Sequence, residues 1–270
     1  MSRVSARRKP SDQRLLRLQV LRSQQLSPHW MRVTFGGEDL EHFEPMGYDQ
    51  WFRLFLPVAS TEALGRVPQK ANTMLGYLKY LRIPGSERPV MREYTVRQYR
   101  PGGTSGPELD VDFVLHGDEG VASRWVAGAA PGDPVLIIDE GTVFSGAGTT
   151  EPLLLASDET GVPAVAGICT GLSEDARGLA LIEVATPEDE LAFAHPAGIE
   201  VRWLIRESGQ PGSALLPNVR DRAATLGLGH AFVVGESGMV TSIRRHLVEI
   251  GVPKQQIDFV GYWRLGRARA

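Results

Sequence analysis

Residues 153–164 read Leu-Leu-Leu-Ala-Ser-Asp-Glu-Thr-Gly-Val-Pro-Ala. The apolar run at 153–156 is typical of a short strand that is buried on both faces of a sheet. A polar turn follows at 157–161, and residues 162–172 have the composition of a helix. A buried strand that passes through a tight turn into a helix is the repeating unit of parallel sheets. This stretch therefore predicts an α/β fold for the region around it.

The same alternation of apolar strands and helices continues to the C-terminus. Further helices are predicted at 214–226 and 239–250, and further strands at 179–184, 199–205, 231–234 and 257–260. Strands that alternate with helices in this way predict a parallel sheet with helices on both faces.

The first half of the chain follows a different pattern. Hydrophobic and polar residues alternate at 16–20, 30–35, 51–56 and 109–115, and glycines and prolines separate these runs. A period of two over several short segments indicates the antiparallel strands of a sandwich or a barrel. Residues 58–90 interrupt the series with a helical stretch at 75–81. A second helix is predicted at 120–130, before a strand at 134–138.

The change of pattern places a domain boundary in the small-residue segment 145–150, which is typical of a linker. We expect a basic flexible tail over 1–14, a β domain over 15–148 and an α/β domain over 149–270. The tail carries five basic residues, but no apolar segment of a signal peptide follows it.

Composition is that of an ordinary globular protein. Of the 270 residues, 42% are hydrophobic and 23% are charged, and a net charge of -3 does not suggest a nucleic-acid ligand. The single cysteine, Cys169, excludes an intrachain disulfide and favours a reducing compartment. No apolar run approaches the ~20 residues that span a bilayer, so we expect a cytoplasmic protein without an integral membrane segment. The histidines lack metal-ligand spacing, and neither a metal site nor a catalytic side chain is predicted.

Two strand-to-helix turns in the second half are candidates for a nucleotide site, because ligands of parallel sheets bind at the carboxyl ends of strands. The turn with Asp158, Glu159 and Thr160 could offer N–H groups and a hydroxyl to a phosphate. The turn at Gly235 and Glu236 is of the same kind. Neither turn contains the G-x-G-x-x-G fingerprint, and Asp158 and Glu159 are equally compatible with ordinary acids at a helix N-terminus.

A sharper signal is Arg92-Glu93-Tyr94-Thr95 in the first half. On a strand, Arg92 and Tyr94 share one face while Thr95 points to the other. An arginine beside a tyrosine and a hydroxyl can pair with a diphosphate and stack on a planar ring, although a solvated strand face is the alternative. Residues 120–123 then open a predicted helix whose N-terminus could meet a pyrophosphate, with Ser123 donating its hydroxyl.

Together these segments resemble the siderophore-interacting protein family, the FAD-dependent ferric-siderophore reductases of the ferredoxin-reductase-like group. The resemblance runs from about residue 15 to residue 266 and rests on six motifs in the family's order. They are R-E-Y-T at 92–95, D-F-V-L-H-G at 112–117 with the helix start at 120–125, S-D-E-T-G-V-P-A at 157–164, G-E at 235–236, R-R-H-L at 244–247 and G-Y-W-R at 261–264. Val121 replaces the family's usual proline, and Gly161-Val162 replaces Ala-Leu.

The resemblance implies an N-terminal antiparallel β-barrel that binds FAD and a C-terminal parallel α/β sheet that binds NAD(P)H. It implies that residues of the first half hold the FAD, namely Arg92, Tyr94, Thr95, His116, Gly120, Ala122 and Ser123. It implies that the second domain holds the nicotinamide cofactor with Asp158, Glu159, Thr160, Gly235 and Glu236. NADPH is the expected donor and NADH the alternative, because acids at 186–190 would repel a 2′-phosphate unless Arg202 or Arg206 compensates them.

The resemblance also implies a ferric siderophore as the small-molecule substrate, with Arg53, Arg124 and Arg264 in a cationic pocket. Arg53 stands where the family often has lysine. A flavin can take a hydride from the nicotinamide and pass single electrons to Fe(III), which would release iron inside the cell. Two other functions stay open: a related flavin oxidoreductase with a protein or organic acceptor, and a siderophore carrier without catalysis. The sequence does not identify the siderophore, the oligomeric state or the role of residues 58–90.

Overall fold

The computed structural model describes residues 8–57, 60–104, 106–115, 120–207 and 209–266, which form two compact units. The β unit comprises residues 8–46 and 50–142, and the α/β unit comprises residues 47–49 together with the chain from Val143 onward. Residues 1–7 of the predicted basic tail lie outside the described residues.

The β unit is built on seven antiparallel strands. They are β1 (Leu15–Ser27), β2 (Trp30–Gly36), β3 (Trp51–Leu56), β4 (Val90–Thr95), β5 (Gln98–Gly103), β6 (Gly106–Val114) and β7 (Pro134–Gly141). Their order in the sheet is β4-β3-β7-β1-β2-β6-β5. Two helices accompany them, α1 (Met74–Leu81) and α2 (Val121–Ala127).

Alternation along the strands decides which side chains enter the core of the β unit. On β6, Leu109, Val111 and Phe113 point into the interior, while the alternating acids at 108, 110 and 112 pair with arginines of β1, β2 and β5. The same interior receives side chains from β1, β2, β3, β7 and α2. The sheet therefore curls around one apolar core, as the predicted antiparallel barrel requires.

Residues 60–89 pack on the outside of this barrel. A short 3-10 helix (Thr61–Arg66) and α1 cover the outer face of β3 and β7. There Leu64 and Tyr80 bury themselves against Phe55 and Ile138. This connection thus builds a second, smaller core on the face of the sheet opposite to the barrel interior.

The α/β unit contains five parallel strands. They are β8 (Leu153–Asp158), β9 (Arg177–Val184), β10 (Gly198–Ile205), β11 (His230–Glu236) and β12 (Ile257–Trp263). Their order in the sheet is β10-β9-β8-β11-β12. The main helices are α3 (Val162–Gly171), α4 (Leu215–Ala223) and α5 (Ser237–Glu249). This confirms the predicted parallel sheet. Because the strand order reverses between β8 and β11, their carboxyl ends flank the crevice where such sheets bind ligands.

No helix in the described part of the chain has the length and apolar content needed to cross a membrane.

Candidate functional site

Strand β4 presents the R-E-Y-T motif at one end of the β sheet. In the register with β3, Arg92 lies opposite Leu54 and Tyr94 opposite Phe52, so both side chains are on the interior face of the barrel wall. The Tyr94 ring lies 4.3 Å from the Phe113 ring, centroid to centroid, and burial raises the pKa of its hydroxyl. At pH 7 this tyrosine is therefore a neutral aromatic surface that can donate a hydrogen bond.

The N-cap residue of helix α2 is Gly120, which has no side chain to cap the first turn. Ser123 in that turn is buried, with 8% of its surface exposed. A Cβ atom on Gly120 would lie 3.0 Å from the Ser123 Oγ atom, so glycine keeps the helix start open. Trp125 packs away from this turn, with its ring 6.5 Å from that of Phe35.

The fold brings these two motifs together, because α2 lies against β4 as well as β2 and β6. A guanidinium (Arg92), a hydroxyl (Ser123) and the backbone N–H groups of a helix start with a glycine N-cap thus share one end of the β unit. This donor set fits a diphosphate, and the aromatic ring of Tyr94 fits a planar heterocycle. Thr95 is buried at the end of β4, and Ala122 is partly buried against the core. His116 lies outside the described residues.

Arg53 does not share the face of Arg92 and Tyr94. It lies opposite Glu93 in the register of β3 with β4, on the outer side of the barrel wall. Its Nε atom is 2.8 Å from the Glu140 Oε1 atom, and its Nη1 atom donates to the Ala71 carbonyl at 3.2 Å. Burial raises the pKa of Glu140, while the charge of Arg53 acts in the opposite direction. The positive charge of Arg53 is therefore largely balanced by a neighbouring carboxylate.

The two other arginines predicted to contact a siderophore are exposed. Arg124 lies on α2 of the β unit, one residue beyond Ser123. Arg264 belongs to the α/β unit and follows the last residue of β12 directly, at the carboxyl edge of the parallel sheet.

Asp158 closes the carboxyl end of β8 and is fully buried. One of its oxygens accepts from the Thr160 amide at 2.9 Å and from the Thr160 hydroxyl at 2.5 Å. The other accepts from the Glu236 amide at 2.7 Å and from the Trp263 indole Nε1 at 2.9 Å. Burial and the charge of Glu159 raise the pKa of Asp158 to about 7. Asp158 thus joins the ends of β8, β11 and β12.

Glu236 plays the same kind of role at the second turn. Its side chain caps α5 by accepting from the Gly238 amide at 2.6 Å and from the Met239 amide at 2.8 Å. Gly235 has a φ of +127°, and a Cβ atom there would lie 2.6 Å from the Asp158 carboxyl group. The glycine is therefore required by the close approach of the two turns.

Glu159 does not point to a free helix start either. It pairs with Arg206, which follows β10, and the Arg206 Nε atom also lies 2.9 Å from the Glu183 Oε1 atom. Glu183 is fully buried near the end of β9, where it also accepts amide hydrogens of residues 212, 214 and 215. One arginine and two carboxylates thus form a buried cluster at this edge.

These contacts change what the two turns can offer to a ligand. Backbone N–H groups that were predicted to meet a phosphate already bind Asp158 and Glu236. The carboxylates at the described carboxyl edge are buried and accept these hydrogens themselves, so they fix the shape of the two turns. Glu183 and Trp263 were not predicted as site residues. The sequence did contain an indication of Glu183, because a lone acid in the apolar strand at 177–184 requires buried partners.

Two family models together match most of the chain. The Siderophore-interacting FAD-binding domain matches residues 19–143. The Siderophore-interacting protein model matches residues 150–266.

Similar proteins extend over nearly the same length. The ferric vibriobactin reductase of Vibrio cholerae is 29% identical, over 93% of this chain and 89% of that protein. The NADPH-dependent ferric-chelate reductase of Escherichia coli is 26% identical, over 94% of each chain.

Solved structures show the same architecture. A siderophore utilization protein from T. fusca is 29% identical over 94% of each chain, with a TM-score of 0.77. A ferredoxin reductase of carbazole 1,9a-dioxygenase is 17% identical, covers 94% of this chain and 70% of its own, and has a TM-score of 0.68, which shows a shared fold.

Proposed function

Because this chain belongs to the siderophore-interacting protein family, we propose that it is an FAD-dependent ferric-siderophore reductase driven by NAD(P)H. The observation that carries the proposal is the meeting of the R-E-Y-T strand with the start of α2, where the N-cap residue is a glycine. The two similar reductases of Vibrio cholerae and Escherichia coli support it.

In this proposal the β unit binds FAD at its open end. Arg92 neutralises the diphosphate together with the hydroxyl of Ser123 and the N–H groups after Gly120. Tyr94 stays uncharged and packs against the planar ring system, and Thr95 and Ala122 line the same end of the barrel. A bound flavin supplies the conversion between a two-electron donor and a one-electron acceptor.

The nicotinamide donor binds at the carboxyl edge of the parallel sheet, beside Asp158, Glu159, Thr160, Gly235 and Glu236. Asp158 and Glu236 act there mainly by holding the two turns in place, since their oxygens already accept backbone and indole hydrogens. Their rigid arrangement keeps the crevice between β8 and β11 in a fixed shape, which lowers the entropy cost of binding.

The substrate is a ferric siderophore whose iron is reduced from Fe(III) to Fe(II). No side chain needs to coordinate the iron, because the chelator holds it until reduction weakens the complex. We propose that Arg124 and Arg264, which are exposed, attract anionic chelates. Arg53 contributes less attraction than an unpaired arginine would, because Glu140 balances its charge.

The test combines spectroscopy with an iron assay. The purified protein should show a flavin spectrum when FAD is added, and anaerobic NADPH or NADH should bleach it. A ferric siderophore should then restore the oxidised spectrum while an Fe(II) chelator gains colour. Arg92→Ala should weaken FAD binding by at least tenfold. Arg88→Ala, which changes a nearby arginine in the connection before β4, should bind FAD normally.

Other results would point to the competing functions. A flavin that is reduced by nicotinamide but reoxidised by no ferric chelate would indicate a protein or organic acceptor. Tight binding of a ferric siderophore without FAD binding would indicate a carrier.

A further inference from the structure

Helix α1 exposes an unusual amount of apolar surface. Among the described residues, eight large hydrophobic side chains are exposed, and four of them lie on this one helix of eight residues. The exposed fractions are 63% for Met74, 73% for Leu75, 47% for Leu78 and 39% for Leu81. At 100° per residue these four side chains cover one continuous stripe of the helix.

The helix is held in this orientation by its other face. Tyr80 is buried, its ring lies 5.7 Å from that of Phe55, and its hydroxyl donates to the Pro89 carbonyl at 2.8 Å. A Cβ atom on Gly76 would lie 1.8 Å from the Lys70 carbonyl oxygen, so only glycine allows the helix to pack this closely. The outward stripe is therefore a consequence of ordered packing.

Basic residues accompany the stripe. Lys79 and Arg82 are exposed beside it on the helix and at its end, and Lys70 is exposed just before the helix. No ion pair is present for these three residues within the described chain, whereas the nearby Arg66 is paired with Glu87. The surface thus combines an apolar stripe with three available positive charges.

We propose that α1 docks the protein on an anionic membrane surface. Met74, Leu75 and Leu78 would enter the boundary between headgroups and acyl chains, and Lys79 and Arg82 would bind the phosphate groups of the lipids. An apolar stripe flanked by lysine and arginine is the pattern of helices that lie in a membrane interface. In an anionic membrane, the lipid headgroups attract lysine and arginine, and the acyl chains just below them accept leucine and methionine. Such a membrane therefore matches both the charges and the apolar stripe of α1.

A second copy of the chain fits this surface less well. A twofold dimer centred on α1 would bring Lys79 and Arg82 of one copy close to the same residues of the other, and like charges repel. Four partly exposed side chains also present well under the ~800 Å² that each partner of a standard protein interface buries. A helix of two turns predicts weak and reversible membrane binding, which increases when salt is lowered.

Membrane binding can be tested by sedimentation of the full-length protein with lipid vesicles. Vesicles of phosphatidylcholine alone are compared with vesicles that also contain phosphatidylglycerol, at low and high salt. We expect at least tenfold more bound protein with the anionic vesicles, and a decrease at high salt. Leu75→Asp/Leu78→Asp and Lys79→Glu/Arg82→Glu should each reduce binding at least fivefold. Ile250→Asp, which changes an exposed apolar residue elsewhere, should bind like the wild type.

The result is separable from the proposed function, because vesicle binding requires neither flavin nor iron. All substituted residues are exposed, and equal melting temperatures would show that the variants fold. The proposal is overturned if wild type ignores anionic vesicles, or if both double variants bind them as well as wild type does. It is also overturned if the wild type dimerises in sedimentation velocity, the double variants do not, and vesicles bind neither; α1 would then be a self-association surface.

Discussion

The carboxyl group of Asp139 lies in the wall of the β unit, and only 4% of the surface of this residue is exposed. It accepts from the Gln50 Nε2 atom at 2.6 Å and from the Gly141 amide at 3.0 Å. Burial nevertheless raises its pKa from 3.8 to about 7. The folded state therefore keeps a proton on Asp139 over a pH range in which the unfolded chain has released it.

This shift predicts a pH-dependent loss of stability. Because the folded pKa lies above the unfolded one, the contribution of Asp139 to the free energy of unfolding falls as pH rises from about 4 to about 7 and is constant outside that window. The difference between wild type and Asp139→Asn should change by at most about 4 kcal/mol between pH 4 and 8. Urea denaturation at both pH values measures it. Asp175→Asn, on an exposed turn, should show no such fall, and an unchanged difference for Asp139→Asn would contradict the expectation.

Arg206 forms ion pairs with both Glu159 and Glu183 at the carboxyl edge of the parallel sheet. The cluster keeps a net negative charge of one. In open parallel sheets, the group that meets the ribose near the end of the second strand selects between NADH and NADPH. Arg206 is therefore not available to a 2′-phosphate, and exposed Glu188 and Glu190 add repulsion nearby.

The family resemblance implies NADPH as the donor, but these charges lead us to expect a preference for NADH. Glu159→Gln would leave Arg206 with one carboxylate partner and raise the local potential. The ratio of kcat/KM for NADPH to that for NADH should then rise by roughly three- to tenfold, which corresponds to about 0.7–1.4 kcal/mol. Calorimetric titration with NADP+ and NAD+ checks the same change without turnover. Glu151→Gln, at an exposed position just before β8 and so at the opposite edge of the parallel sheet, is the matched control and should leave the ratio unchanged.

The junction of β11 with α5 is the element most sensitive to added volume. Gly235 adopts a positive φ, and the Asp158 carboxyl group occupies the space that a side chain would need. The Asp158 oxygens cannot move aside without losing the amide of Glu236 and the indole of Trp263. The junction thus couples three strand ends through a single buried acid.

Gly235→Ala should therefore destabilise the α/β unit by about 2–4 kcal/mol, since it combines a strained φ with a steric conflict. Differential scanning calorimetry would record the lower melting temperature. Gly65→Ala provides the comparison, because it has an ordinary φ and no atom within 4 Å of the added Cβ. Equal melting temperatures for the two variants would show that the junction relaxes freely.

At the scale of the whole molecule, the described residues form apolar clusters within each of the two units. One set fills and covers the β barrel, and the other lies between the parallel sheet and helices α4 and α5. Because each unit has apolar clusters of its own, we expect each to unfold as a cooperative block.

FAD should then stabilise only one of two unfolding transitions. If FAD binds to the β unit, increasing its concentration raises the melting temperature of that unit, because a ligand of the folded state stabilises it by mass action. At a concentration of 100 times Kd the stabilisation is about 2.7 kcal/mol. Ser123→Ala should reduce the shift, whereas Ser242→Ala on the exposed face of α5 should not. If FAD raised the melting temperatures of both transitions by the same amount, the expectation that the two units unfold independently would be wrong.

Sequence periodicity was sufficient for the architecture. The alternation at 109–115 predicted a wall with one apolar face, and the apolar run at 153–156 with its turn predicted a parallel sheet. The structure confirms both. Periodicity is local, since each strand or helix repeats within a few residues, and burial of its apolar side follows directly.

The charges of the candidate site depended on the tertiary structure. Arg53 meets Glu140 across 87 positions of sequence, and Arg206 meets Glu159 and Glu183. Which acid reaches which arginine is set by strand register and strand order, and a shift of one residue moves a side chain to the opposite face. The sequence by itself determined the antiparallel and parallel sheet types, and it predicted the motifs of a flavin site. Only the tertiary structure decided which of their charged groups are neutralised within the protein and which are left to meet a ligand.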